Sequence, residues 1–133
     1  MKLKSTTQAQ ARDISPHGWY IASYLLRFTK LGEPGNNDRE KRFLTWENTI
    51  LVKAGNLGKA YDKAVQFALR ETKPYKGGPK GLAVQWVFEG ITELVPVYEK
   101  FKDGAELMWG QHSPRKLKNI RMHARTKDDF LHE

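Results

Sequence analysis

Proton-transfer catalysis needs a titratable side chain held rigidly beside a second group, so the histidines and carboxylates come first. His17, His112, His123 and His132 all fall in the expected arm or tail, where no rigid element is expected to hold them. No two of them stand three or four residues apart, the spacing that puts two metal ligands on one side of a helix. Glu89 and Glu93, or Asp103 and Glu106, lie at expected strand ends and could converge as an acid and a base or as magnesium ligands. Their spacing fixes no geometry, and solvent-facing charges are common at strand ends. Gly77-Gly78-Pro79-Lys80-Gly81 is as rich in glycine as a phosphate loop. It lacks the G-x-x-x-x-G-K-[ST] spacing, however, and precedes a strand instead of opening a helix. The absence of cysteine excludes a disulfide framework, a thiolate metal site and a thiol nucleophile.

Two features suit binding better than catalysis. Trp19, Trp46, Trp86 and Trp109 each fall in a different expected strand. Packing is the simplest use for them, whereas two exposed on one face beside basic residues would make a platform for bases or a protein anchor. The second feature is charge. With 23 Lys and Arg against 15 Asp and Glu, the net charge is +8, which points to an anionic partner. Six of those cations, Arg115, Lys116, Lys118, Arg121, Arg125 and Lys127, follow His112 with no acid among them, and could neutralise several phosphates.

The elements that must position these groups follow from hydrophobic periodicity. Residues 1–17, rich in Ser, Thr, Gln and Ala, read as a loose arm. From Trp19 to Phe28 both alternating sets are largely apolar, which predicts a strand covered on both faces. Lys30 to Arg42 reads as a polar loop, and Phe43 to Ala54 as a second strand with one apolar and one polar face. Asn56 caps a helix running to Leu69, whose apolar stripe is Leu57, Ala60, Tyr61, Ala64 and Ala68. Pro74 and Gly77-Gly78-Pro79 predict a loop, after which Leu82 to Glu89 forms a third strand. Gly90 marks either a hairpin turn or a bulge before Ile91 to Val97, and Pro96 suits an edge. Asp103-Gly104 predicts a last hairpin between Val97 to Phe101 and Ala105 to Trp109. Ser113-Pro114 then opens a short helix, with Leu117, Ile120 and Ala124 on an apolar stripe and Lys118, Arg121 and Arg125 on a basic one.

The expected fold is therefore α+β, an antiparallel sheet of about four or five strands with one main amphipathic helix on a face and a short basic C-terminal helix. Residues 18–110 form the domain, between the arm at 1–17 and the tail at 111–133. No apolar run approaches the length that crosses a bilayer, and the N-terminus lacks the apolar middle of a secretory signal, so a cytoplasmic protein is expected. No cofactor or metal is expected.

WYIASYLLRF at 19–28, WENTILVKAGNLGKAYDKA at 46–64, GLAVQWVFEGITELVPV at 81–97 and DGAELMW at 103–109 carry a resemblance. They resemble a family of small bacterial proteins classed only as a domain of unknown function, over roughly residues 19–109. These are patterns of aromatic, Gly and Glu positions, which specify a fold better than a reaction. The resemblance implies no catalytic residues. It does imply a likeness to immunity proteins, which bind and block a partner toxin, and on that reading Trp46, Glu47, Trp86, Glu89 and Glu106 are candidates for the binding surface. The expected function is accordingly a non-enzymatic protein-binding module, most concretely an immunity-type inhibitor. The alternative is a nucleic-acid-binding protein working through Arg115, Lys116, Lys118, Arg121 and Arg125. An enzyme built on Glu89, Glu93, Asp103 or Glu106 would need those carboxylates to line one pocket.

Overall fold

A computed structural model describes residues 12–131. Its core is one four-stranded antiparallel sheet, with a single helix packed across it. β1 (Trp19–Lys30), β2 (Thr45–Lys53), α1 (Leu57–Leu69), β3 (Tyr75–Gly77) and β4 (Leu82–Pro96) follow in chain order, and the sheet order is β2-β1-β4-β3. The α+β class is the expected one.

β1 pairs along its length with β2 on one side and β4 on the other, and nearly all of it is shielded from water. Its double-apolar pattern has this cause. Tyr20, Ala22, Tyr24 and Leu26 face the helix, where Ala60, Ala64 and Ala68 are fully buried. Alanine every fourth residue lets the helix backbone approach closely, so that the two tyrosine rings and Val52 fill the space between the layers. Asn56 caps α1 through its Oδ1, which accepts from the Lys59 N–H at 2.8 Å. Tyr61, read as part of the apolar stripe, is instead exposed.

Several segments differ from expectation, and at Gly90 the bulge is the alternative that forms. Leu82 to Glu89 and Ile91 to Val97 are not two strands but one, β4, whose register against β1 shifts twice, between Ser23 and Tyr24 and between Leu25 and Leu26. Thr92 and Glu89 are the extra residues, and Gly90 between them has φ +143°. Gly90 is thus part of a bulged strand and not a turn. The segment read as a loop after Pro74 contains β3, which folds back on Leu82, Ala83 and Val84. Gly78 and Gly81, both at positive φ, close that hairpin.

The expected last hairpin does not form. Asp103-Gly104 does turn, with the Ala105 N–H donating to Lys102 O at 3.0 Å, but its flanks are not strands. Aromatic contacts draw the first flank elsewhere. The Phe101 ring packs 5.5 Å from that of Trp19, and the Tyr98 hydroxyl donates to the Arg12 carbonyl. Trp109 consequently lies outside any strand and is well exposed.

The tail holds two short helices, α2 (Leu117–His123) and α3 (Lys127–Leu131), and neither contacts a strand or α1. α2 starts at Leu117 and not at Ser113-Pro114, and Ala124 is already extended, so Arg125 leaves the basic stripe of Lys118 and Arg121. Arg115 explains the late start. Its guanidinium donates to His112 Nδ1 at 2.7 Å and to His123 Nδ1 at 3.2 Å, which holds 112–116 alongside α2 instead of in line with it. Of the segment read as a loose arm, residues 1–11 lie outside the described part. Ser15 is anchored: it is buried, its hydroxyl donates to Val97 O at 2.6 Å, and its N–H donates to the Tyr20 hydroxyl at 3.0 Å.

Candidate functional site

α1 ends at Leu69, before the sheet does. The helix face of the sheet is therefore open beyond the buried Leu26, toward Phe28, and the alternation of three strands puts aromatic residues there. Trp46 of β2, Phe28 of β1 and Trp86 of β4 share this face because Leu26 is in register with Trp46 and Phe28 with Trp86. The Trp46 and Trp86 rings lie 4.7 Å apart, and Phe28 meets the Trp86 edge at 5.2 Å. The Trp86 indole N–H donates to the Tyr75 hydroxyl at 3.1 Å, which ties β3 to the cluster. Trp46 is 53% exposed. Tilted and edge-on rings in contact at that exposure form an apolar surface with polar handles, the composition that dominates binding hot spots.

A cavity of about 410 Å³ adjoins the cluster, lined by Phe28, Lys30, Tyr75, Pro79, Lys80 and Leu82 among others. Its shape depends on Gly77, where a Cβ would stand 3.1 Å from Val84 Cγ2 and 3.2 Å from Tyr75 Cε2. Without a side chain there, the Tyr75 ring can lie over the hairpin backbone. Lys30 and Lys80 give the cavity a cationic rim. The site is apolar in its floor and positive at its edge.

The five residues proposed from sequence as one binding surface are divided by the fold. Trp46 and Trp86 come together as described. Glu47 and Glu89 lie on or beside the opposite side of the sheet, where Glu47 accepts from the Thr92 hydroxyl. Glu89 pairs with Arg27 Nε at 2.7 Å, and Arg27 also donates to Asn36 O at 2.6 Å and stacks on Phe43. That triad pins the 31–44 loop. Glu106 lines a separate cavity with Val95, Leu107, Met108 and Trp109. Neither Glu93 nor Asp103 lines the cavities of Glu89 or Glu106, so the four carboxylates do not share one pocket. Among the described residues, no group of three or more His, Asp or Glu is placed to hold a metal ion.

The described tail residues, 111–131, are all accessible. Arg115 is engaged by the two histidines, whose rings are 5.6 Å apart, and Arg125 donates to Asp129 O at 3.3 Å and stacks on Phe130. Lys116 is the N-cap of α2, and Lys118 and Arg121 lie within it. The His112–Arg115–His123 contact was invisible to spacing rules because the histidines are eleven residues apart and meet only when the chain doubles back. His17 is exposed, and His132 lies outside the described residues. Phe28 and Tyr75 complete the aromatic cluster; Phe28 carried no sequence signal beyond its strand position, and Tyr75 fell in the segment expected to be a loop.

Among the described residues no helix is long and apolar enough to cross a membrane. No curated protein and no solved structure matches the chain. Residues 19–109, the span from the first residue of β1 to Trp109, match the family model described as a domain of unknown function, DUF4288. Since that span is most of the chain and includes every strand, α1 and the whole aromatic site, the protein belongs to the DUF4288 family.

Proposed function

We propose that the protein is a non-enzymatic module that binds a partner protein through the aromatic surface of Trp46, Trp86, Phe28 and Tyr75. In its most concrete form it is an immunity-type inhibitor that occludes a partner toxin. The observation that carries this reading is the Trp46–Trp86 pair, rings 4.7 Å apart on an open part of the sheet. Large aromatic groups left half-exposed at a fixed geometry are costly to hydrate and gain most when a partner covers them. Lys30 and Lys80 at the rim favour a partner with acidic groups around an apolar centre, the charge speeding encounter more than setting affinity.

The test is capture from the native host with tagged full-length protein, with and without nuclease, beside Trp46→Ala. One nuclease-resistant protein that is lost with Trp46→Ala, and whose toxicity in cells is relieved by co-expression, is the expected result. Absence of any such protein, or undiminished capture by Trp46→Ala, overturns the reading.

A second reading rests on the tail, whose helices project clear of the domain with Lys118 and Arg121 on α2. Nucleic-acid binding there predicts affinity that falls steeply with salt and weakens uniformly when Lys118, Arg121 and Arg125 become Ala. Affinity unchanged by salt rules it out.

A further inference from the structure

The two outer edges of the sheet differ in kind. Among the described residues, β2 has no partner on its outer side and β4 has none beyond Val84, yet both bulges lie in that stretch of β4 and it ends on Pro96. β2 is the regular edge. It has nine residues, contains neither Gly nor Pro, and keeps an unbroken register with β1. A regular edge of this length is a template for another strand.

The hydrogen bonds fix which groups it offers. Ala54 N–H donates to Gly18 O and Phe28 N–H to Leu44 O, both at 2.9 Å, so the even-numbered residues of β2 exchange backbone bonds with β1. The N–H and C=O of Thr45, Glu47, Thr49, Leu51 and Lys53 therefore point outward. One is already in use: the Lys53 carbonyl accepts from Lys63 Nζ at 2.6 Å.

We infer that this edge takes a second copy of the chain, β2 against β2, antiparallel about a two-fold axis at Ile50. The phase permits it, because that axis places outward-pointing residues in hydrogen-bonded pairs, Glu47 opposite Lys53 and Thr49 opposite Leu51, each twice by symmetry. Charge selects it. An axis at Thr49 sets Glu47 against Leu51, and an axis at Leu51 sets Lys53 against Thr49, whereas the axis at Ile50 matches both charges. Glu47 and Lys53 are exposed and lie on the same face of β2, where Glu47 accepts from the Thr92 hydroxyl and Lys53 Nζ stands 5.4 Å from the Trp19 ring centre; turning outward from these exposed contacts, each carboxylate meets an ammonium across the new ladder. On the helix side Ile50 meets Ile50 beside a cavity of about 360 Å³ lined by Ile50, Phe67 and Arg70 among others. The Lys63 bond to the Lys53 carbonyl is exchanged for the Glu47 N–H of the second copy, and until then it guards the edge. Two sheets join into one of eight strands. This inference does not rest on the aromatic site, and its measurement on purified protein is separate from partner capture.

The experiment is sedimentation equilibrium on the full-length protein over a concentration series up to about 1 mM. A monomer–dimer equilibrium is expected. Glu47→Lys alone and Lys53→Glu alone each place like charges opposite one another and should weaken self-association more than tenfold. Mixing these two variants matches every pair again and should restore a dimer, and so should the doubly swapped chain. Leu51→Pro removes an outward N–H without touching the pairing with β1, and should abolish the dimer while circular dichroism stays that of the folded protein. A monomer at every concentration overturns the inference. So does a dimer indifferent to Glu47→Lys and Leu51→Pro, or failure of the mixed variants to associate.

Discussion

Glu71, just past the C-cap of α1, accepts a hydrogen bond from the Tyr24 hydroxyl at 3.2 Å, and a second from Asn48 Nδ2 at 3.3 Å. One carboxylate at the helix end thereby holds two neighbouring strands. Burial pushes the Tyr24 phenol above its ordinary range, the Glu71 charge adds to that, and the Asn48 bond opposes it. The folded state therefore keeps the Tyr24 proton more tightly than the unfolded chain does. The stability linked to this proton is complete below the ordinary tyrosine value of about 10 and is lost as pH rises above it. Melting temperature should accordingly fall above pH of about 10. Tyr24→Phe should cost about 1 kcal/mol at neutral pH and remove part of that alkaline fall, as followed by thermal melts across pH.

Gly90 holds φ +143° between the two bulge residues of β4, a conformation that L side chains rarely adopt. Gly90→Ala should destabilise by about 1–3 kcal/mol through backbone strain, since no atom lies near enough to clash. Gly55→Ala, with the same open surroundings and no positive φ, is the control and should leave the denaturation midpoint nearly unchanged.

Arg27 joins Glu89, the Asn36 carbonyl and the Phe43 ring, with its side chain 17% exposed and that of Glu89 43% exposed. Arg27→Ala removes two anchors of the 31–44 loop, at Asn36 and Phe43, together with the Glu89 ion pair, and should cost about 1–2 kcal/mol, with faster proteolytic nicking inside that loop. Glu89→Gln removes only the half-exposed ion pair and should cost less than about 1 kcal/mol.

Neither α2 nor α3 touches the sheet or α1. A chain ending at Gly110 should therefore melt within about 2 °C of the full-length protein, by differential scanning calorimetry. A larger drop would mean that the tail supports the domain in solution.

Much of the architecture was legible because it rests on local periodicity. The alternation from Trp19 to Phe28 with both sets apolar marks β1 as a strand paired on both sides, and Asn56 with alanines four apart bounds and orients α1. The same local logic misread Asp103-Gly104. The turn is there, but a hairpin also needs flanks without better contacts, and Trp19 and the Arg12 carbonyl claim Phe101 and Tyr98. It also left Gly90 open between turn and bulge, because which of the two forms depends on whether β1 is long enough to pair with both flanks. It is.

For the candidate site, the sequence by itself determined the residue types: four tryptophans, glutamates along the strands and a cationic tail. Side-chain alternation determined which face of its own strand each residue occupies. Which residues meet was decided only by strand order and register. Trp46 and Trp86 are forty residues apart and touch because β1 lies between their strands with Leu26 and Phe28 in register beside them. Glu47, next to Trp46 in the chain, is sent to the opposite face by the pleat, and Glu89 is drawn to Arg27 by a bulge. Long-range pairing is set by how several strands bury their apolar faces together, a balance that no short stretch of the chain contains.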